Sequence, residues 1–371
     1  MIPGAGPPPS GAWLLLRRAP MMAIAVASMA CGTWLGLVRL GWRLPLPWPD
    51  QLIAHGPLMV CGFLGTLISL ERAVALGSAW GYAAPVLVAA GALTIDLSIG
   101  PFGPLLITLG SVVLVAIFMR LVVRQPALFI WTMTAGAGAW LVGNTLWLDR
   151  MAIYRVVYWW MAFLVLTIAG ERLELNRVLR PTTMTRAAFA GAIAVVLVGV
   201  GIGMRHPDVG IRVVGAGLIA LTLWLVRYDV ARHTVRQPGL TRYIAVGLLA
   251  GYVWLGCAGI LAVATGVPPT SLMYDATLHV VFLGFVMSMV FAHAPVIVPA
   301  VLGRSLAFDR RFYAHLAVLH ASVLVRVVGD LVESLGRWRY WGGMLNAVAL
   351  LMFVLNVGRS LTASPAHVSP R

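Results

Sequence analysis

The sequence contains no lysine, and only 12 of its 371 residues are acidic. Charged residues of all kinds make up 11% of the chain, whereas 60% of it is hydrophobic. Soluble globular domains carry about a quarter of their residues as charged side chains, so this class is excluded. The alternation of apolar and polar residues that transmembrane β-barrels require is also absent. The composition therefore predicts an all-α, polytopic membrane protein.

Cysteine is scarce as well. The three cysteines, Cys31, Cys61 and Cys257, all lie within apolar segments. They form no CxxC motif, and no disulfide framework can be built from them. We expect them to act as small apolar residues in packed helices.

Long apolar segments dominate what is present. A segment of about 20 apolar residues crosses the hydrocarbon core of a bilayer as a helix, and the sequence predicts about twelve such transmembrane helices. Together they form one transmembrane helical domain over 19–358, between a flexible cytoplasmic tail at 1–18 and a cytoplasmic tail at 359–371. The predicted spans run roughly over 19–41, 52–70, 83–99, 104–123, 127–148, 156–171, 187–204, 208–226, 242–266, 275–302, 311–331 and 339–358.

The formal net charge of +15 reflects arginines that stand at the ends of these spans. If the N-terminus lies inside, the tails and the even-numbered loops collect most of the 27 basic residues. Excess arginine in short loops identifies the cytoplasmic side. The charge therefore predicts a multi-pass membrane protein with both termini cytoplasmic, whose partner is the lipid bilayer and not a nucleic acid; the family resemblance described below implies the bacterial inner membrane.

A short sequence pattern recurs in the second, sixth and tenth spans. "FLGTLISLER" ends at Arg72, "FLVLTIAGER" ends at Arg172, and "FLGFVMSMVF" lies in the tenth span. This spacing is consistent with three arcs of four helices, in which these three spans are equivalent and parallel. The paired Glu71–Arg72 and Glu171–Arg172 are either salt bridges that anchor the helix ends or the start of a proton path.

Four histidines lie well inside predicted spans: His55, His279, His293 and His320. Intramembrane ionisable residues mark functional sites by default. Fourteen residues separate His279 from His293, so an unbroken α-helix would present both imidazoles to one neighbour. By depth, His55 matches His279 near the outer side, and His293 matches His320 further in. His315, close to the inner boundary, is a weaker candidate.

These depths predict a metal or haem role for the histidines. Neutral imidazole is a good ligand for haem iron and for copper. His55 and His279 would serve an outer centre, and His293 and His320, with His315 as a further ligand, an inner one. The alternative is that each histidine only forms hydrogen bonds between helices.

Two arginines near the outer centre are further candidates for binding the cofactor. Arg326 could bind the propionates of a haem, as could Arg339. Arg326 and Asp330 stand four residues apart on one helix, where ion pairing would ease the burial of both.

Around these histidines the chain resembles the NnrS family of membrane proteins. The matching stretches are "WPDQLIAHGPLMVCGFLGTLI" with His55, "DATLHVVFLGFVMSMVFAHAPVIVPAVLGR" with His279 and His293, and "HLAVLHASVLVRVVGD" with His315 and His320. The resemblance implies twelve spans, bound haem and copper, and a part in nitric oxide metabolism or nitrosative stress. The span number and the three arcs also resemble the large subunit of haem-copper oxidases.

The expected function is thus that of a membrane protein with haem, b-type by expectation, and with copper as a second candidate metal. A diatomic gas such as nitric oxide and an electron-donor protein are candidate partners. A cofactor-free, proton-coupled transporter and an accessory subunit of a membrane complex stay open as alternatives, and whether the protein is an enzyme stays open too.

Overall fold

The computed structural model describes the backbone of residues 11–46, 49–266 and 271–362, and their side chains except those of 11–16 and 49–50. Every regular element within these ranges is a helix. Twelve long helices follow one another: α1 Gly11–Arg39, α2 Gln51–Leu76, α3 Ala79–Asp96, α4 Phe102–Arg124, α5 Leu128–Leu148, α6 Ile153–Leu179, α7 Thr183–Gly203, α8 Pro207–Tyr228, α9 Gly239–Thr265, α10 Leu272–Leu302, α11 Phe312–Leu331 and α12 Glu333–Thr362.

Eleven of these helices are long and apolar enough to cross a membrane. The exception is α5, which is as long as its neighbours but less hydrophobic, because it contains three tryptophans, three glycines and Asn144. It packs between α4 and α6. The prediction of an all-α polytopic membrane protein is confirmed.

Both ends of the helical domain extend further than the sequence pattern predicts. Helix α1 already begins at Gly11, inside the stretch expected to be a flexible tail. Arg18 connects the first part of α1 to the rest of the bundle, because its guanidinium donates hydrogen bonds to the hydroxyl of Tyr82 and to the carbonyl of Val301. At the other end, α12 continues to Thr362, four residues into the expected tail. Residues 1–10 and 363–371 lie outside the described residues.

Helices α2, α6 and α10 are the most buried of the candidate spans. They run in parallel, because the beginnings of α2 and α10 meet at His55 and His279, and the ends of α2 and α6 meet at Arg72 and Glu171. We call these two sides of the bundle the His55 end and the Arg72 end. The observed direction agrees with the sequence repeat, while the arrangement in three arcs stays a prediction.

The helices α2 and α10 share an irregularity that the sequence repeat marks. Both change from α-helix to π-helix for eight residues, at Leu58–Gly65 and at Val280–Met287. Each π segment contains a Phe-Leu-Gly triplet, and the glycine lies against a tryptophan. A Cβ on Gly65 would lie 2.6 Å from the indole of Trp140, and a Cβ on Gly284 would lie 2.6 Å from that of Trp254. Because π-helical turns occur frequently at functional sites, they indicate that the residues next to these two segments have a functional role.

Candidate functional site

His55 and His279 face each other between α2 and α10, next to the two π segments. Their ring centroids are 6.2 Å apart, and the ring planes are inclined by 23°. A metal–imidazole bond of about 2 Å on each side, added to the distance from each nitrogen to its ring centre, gives a separation of about 6 Å for two rings that share one metal. The observed separation therefore matches that of two ligands on one ion.

The hydrogen bonds of these two rings leave the same nitrogen open in each. Nδ1 of His55 lies 2.7 Å from the carbonyl oxygen of Gly32, and Nδ1 of His279 lies 2.8 Å from that of Asp275. A carbonyl can only accept, so Nδ1 carries the proton in both rings. The structure gives neither Nε2 a hydrogen-bond partner among the described residues. Metal-binding histidines have this arrangement, in which the second nitrogen donates to a carbonyl or carboxylate and fixes the tautomer.

The ring of His55 fits closely against α1 because residue 36 is glycine. A Cβ on Gly36 would lie 2.9 Å from both Cε1 and Nδ1 of His55. Gly32, one turn earlier on α1, supplies the carbonyl that accepts from the same ring. Sequence reasoning did not single out Gly36, and no motif signals its role.

A cavity of about 230 Å³ lies beside the two histidines, with apolar walls in its depth and charged groups at the His55 end. It is lined by α1, α2, α6, α10, α11 and α12. Its apolar part includes Val60, Leu64, Leu283, Met287 and Leu350. Its polar part consists of His55, His279, Arg39, Asp275, Arg326, Arg339 and Asn346, with Thr33 and Tyr274 beside them. This cavity, which we call the outer cavity, suits a ligand with an apolar body and anionic groups at one edge.

The arginines of the outer cavity pair differently from the sequence prediction. Arg326 does not pair with Asp330 on its own helix. Its guanidinium donates to Asp275 of α10 at 2.8 Å, and the other carboxylate oxygen of Asp275 lies 3.4 Å from Nδ1 of His279. Asp330 instead lies 3.2 Å from Nε of Arg339. The carboxylate of Asp275 thus links Arg326 to a candidate ligand, a role that its position four residues before His279 could have suggested.

The Arg339–Asp330 pair lacks hydrogen-bond geometry. Nε of Arg339 and both carboxylate oxygens of Asp330 are buried without a hydrogen-bond partner among the described residues. Arginine binds carboxylates best through two parallel hydrogen bonds. An anionic ligand at the mouth of the cavity would therefore find donors of Arg339 available.

His293 lies in a different environment from His279, although fourteen residues separate them. Its Nδ1 donates to the carbonyl of Met289, and its Nε2 accepts from the guanidinium of Arg172 on α6 at 3.2 Å. The prediction that both imidazoles face one neighbour is wrong. The π segment between them explains the error, because a π-helix holds more residues per turn than an α-helix and so rotates the following side chains.

The structure does not pair His293 with His320. Nδ1 of His320 accepts from the indole of Trp254 at 2.9 Å, and its Nε2 lies 3.4 Å from the hydroxyl of Ser288. Both of its nitrogens are therefore used within the protein, as are those of His293. Their assignment as ligands of an inner centre remains a prediction that no observed geometry supports.

His315 is also satisfied by protein groups. Its Nδ1 accepts from the amide of Asn356 at 3.0 Å, and its Nε2 lies 3.1 Å from the hydroxyl of Tyr243, which donates in turn to the carbonyl of Phe291. The ring is fully buried. This is the hydrogen-bonded core histidine that the sequence analysis kept as an alternative.

No group of three or more His, Cys, Asp or Glu side chains suited to a metal ion occurs among the described residues. A centre built from protein ligands alone is therefore not seen in that part of the chain. Two histidines with open Nε2 atoms can instead complete the coordination of an iron whose other four ligands come from a porphyrin.

A second cluster of charges lies at the Arg72 end. The guanidinium of Arg72 bonds to both Glu71 and Glu171 at 2.7 Å, so it joins α2 to α6. Arg172 pairs with Asp229 at 2.9 Å, and both side chains are almost completely buried. The residues of the two Glu-Arg pairs therefore act in salt bridges, as one of the two predictions held. Arg72 pairs both with its neighbour Glu71 and with Glu171 of another helix, whereas Arg172 pairs with Asp229 and not with Glu171.

Fold and sites together define a polytopic helical membrane protein with a two-histidine cavity. A family of unknown function, DUF8744, matches residues 18–361, and the chain belongs to this family. No curated protein matches the sequence.

Proposed function

We propose that the protein is a membrane haem protein in which the Nε2 atoms of His55 and His279 would hold one b-type haem. The observation that carries this proposal is the pair of rings 6.2 Å apart, each with Nδ1 bonded to a backbone carbonyl and Nε2 without a partner. The apolar side chains in the depth of the outer cavity would contact the macrocycle, and this cavity of about 230 Å³ has to widen when haem binds. Arg326 and Arg339 at its mouth would bind the propionates.

With both histidines bound to it, a haem would supply one-electron transfer and not a binding position for a gas. The chain's own residues would hold this centre in place. Gly32 and Asp275 fix the tautomers of the two ligands through their carbonyls. The carboxylate of Asp275, beside His279, would make that imidazole a stronger donor to the iron.

Electron transfer is thus favoured over gas binding for this site. The resemblance to the NnrS family supports bound haem, and the proposal takes from it the setting of nitrosative stress in a bacterial inner membrane. It assigns no copper, because the other candidate ligands, His293, His315 and His320, are bonded to protein groups. The proposal takes the Arg72 end as the cytoplasmic side, because arginines collect there and excess arginine in short loops is typical of that side.

The test is haem content and optical spectrum of the detergent-purified protein, measured as reduced-minus-oxidised difference and by pyridine haemochrome. We expect one low-spin haem per chain. His55→Ala and His279→Ala should each abolish or strongly reduce it. His293→Gln, which changes a histidine already bonded to Arg172, should retain the wild-type spectrum.

An exposed loop histidine provides the matched control, because His206→Ala changes no described contact of its ring. Full haem content in both His55→Ala and His279→Ala would refute the assignment. A colourless protein from cells supplied with haem and iron would favour the transporter or accessory-subunit alternatives.

A further inference from the structure

A second, larger cavity lies at the Arg72 end of the bundle, away from the two histidines. Its volume is about 610 Å³, within the range of pockets that bind small organic ligands. It is lined by α1, α2, α6, α10 and α12, and its walls are almost entirely aliphatic or aromatic. We call it the inner cavity. Its size and lining suit a flat lipophilic molecule.

The inner cavity opens sideways between α1 and α12. Ala23, Ala27 and Ala30 of α1 line it and are exposed, as is Gly358 of α12. At the opposite end the two helices come together, because Trp42, just after the end of α1, stacks on Tyr340 of α12. The small side chains along this gap leave a path from the lipid phase, so the expected ligand is one that is dissolved in the bilayer.

Acidic groups stand at one side of this apolar space. Glu71 and Glu171 line it, and each uses one carboxylate oxygen, Oε1, to bind Arg72. No hydrogen bond to either Oε2 occurs among the described residues. His293 lies beside them with its ring fixed by Met289 and Arg172. Two carboxylate oxygens are therefore able to accept from a hydroxyl group, which a bilayer acyl chain does not have.

The inner and outer cavities are neighbours. Leu64 of α2 lines both of them, and on α10 the adjacent residues Val286 and Met287 line one each. A ligand in the inner cavity would therefore be separated from the outer cavity by little more than one side chain.

We propose that the inner cavity binds a membrane benzoquinol, with its ring among the apolar walls and a hydroxyl group donating to Glu71 or Glu171. The site stands on the cavity itself, whereas the use of its electrons rests on the proposed function. Oxidation of one quinol to quinone releases two electrons and two protons. A ferric haem in the outer cavity would take up one electron at a time, and a one-electron acceptor protein would re-oxidise it between the two transfers. The carboxylates of Glu71 and Glu171 accept the protons.

The first test measures binding without any haem signal. Detergent-purified protein is titrated with decylubiquinone, and the bound fraction is quantified by equilibrium dialysis. Ala27→Phe places a phenyl ring in the exposed gap and should weaken binding at least about tenfold, with haem content unchanged. Ala188→Phe is the matched control, because Ala188 is exposed on α7 and lines neither cavity.

The second test addresses the carboxylates. Glu171→Gln keeps an oxygen that can accept from Arg72 but removes the charge that accepts a proton. Reduction of the oxidised haem by decylubiquinol, followed by stopped flow, should slow at least about tenfold, a typical effect of losing a proton acceptor. Glu174→Gln, one turn later and outside the cavity lining, should behave as the wild type.

The outcomes separate the two proposals. If the purified protein contains no haem but binds quinone, and Ala27→Phe abolishes this binding, the inner site stands and the haem assignment is refuted. A haem protein that binds no decylubiquinone, or binds it equally in Ala27→Phe and Ala188→Phe, would refute the inner site alone. Phospholipid in place of quinone after extraction of the purified protein, together with no quinone binding, would also overturn it.

Discussion

Gly36 offers the sharpest test of the two-histidine site, because its substitution leaves both ligands in place. A Cβ at this position would lie 2.9 Å from Cε1 and Nδ1 of His55. Carbon atoms in contact are normally about 3.5–4.0 Å apart, so the ring or α1 has to move. The ring cannot move freely, because Nδ1 is held 2.7 Å from the carbonyl of Gly32 on the same helix.

The expected losses of stability and of haem affinity in Gly36→Ala follow from this contact. Forcing one extra methyl group into a packed site costs about 1–3 kcal/mol. Replacing glycine by alanine inside a helix contributes about 0.5–1 kcal/mol in the opposite direction, so Gly36→Ala should lose at most about 2.5 kcal/mol of stability. Because the misfit falls on the ligand, haem affinity should decrease about 5- to 150-fold, at 1.4 kcal/mol per factor of ten.

The assay is transfer of haem from the purified protein to excess apomyoglobin, with the midpoint of thermal unfolding measured on the same samples. Gly191→Ala in α7 is the matched control, since a Cβ there would meet open space. We expect rapid haem loss from Gly36→Ala and none beyond the wild type from Gly191→Ala. Equal retention in the two variants, with unchanged spectra, would refute the geometry proposed for His55.

Three further predictions concern the rest of the bundle. Asp229→Asn should destabilise the protein by about 3–5 kcal/mol in denaturant unfolding, because it leaves the buried Arg172 unpaired; Asp208→Asn, in an exposed pair, should cost less than about 1 kcal/mol, and equal losses would contradict this account. Tyr243→Phe should cost about 1–3 kcal/mol, because Nε2 of His315 loses its acceptor, yet haem content should not change; a lost haem band would make His315 a ligand. Fusions at the C-terminus should give fluorescent green fluorescent protein and inactive alkaline phosphatase, and the reverse pattern would invert the proposed topology.

The sequence predicted the helices and the His55–His279 pair because both depend on position along the helix axis. Apolar length gives the spans, and the starts of α2 and α10 place these two residues at one depth. It failed for His293 and His320 because depth says nothing about rotation around the axis. His293 faces Arg172 of α6, whereas His320 faces Trp254 of α9.

The partners of the charged groups were not predictable in the same way. Asp330 stands at ideal spacing from Arg326 on one helix, yet Asp275 of another helix takes that place. Local spacing describes which groups can meet, but the packing of α10 against α11 decides which of them do. The sequence repeat marked the positions of the Phe-Leu-Gly triplets but not their π-helical geometry. The close fit of their glycines against tryptophans depends on how other helices pack.

The hydrogen bonds of the five candidate histidines divide them into two groups, and this division supports the functional argument. His293, His315 and His320 each engage both ring nitrogens with protein groups. His55 and His279 engage only Nδ1, and they do so in the same manner, each with a backbone carbonyl. Both histidines line the outer cavity, so a bound group can reach the open nitrogens. A metal held between the two rings would use both open nitrogens, whereas the alternative, hydrogen bonding between helices alone, leaves both of them without a partner.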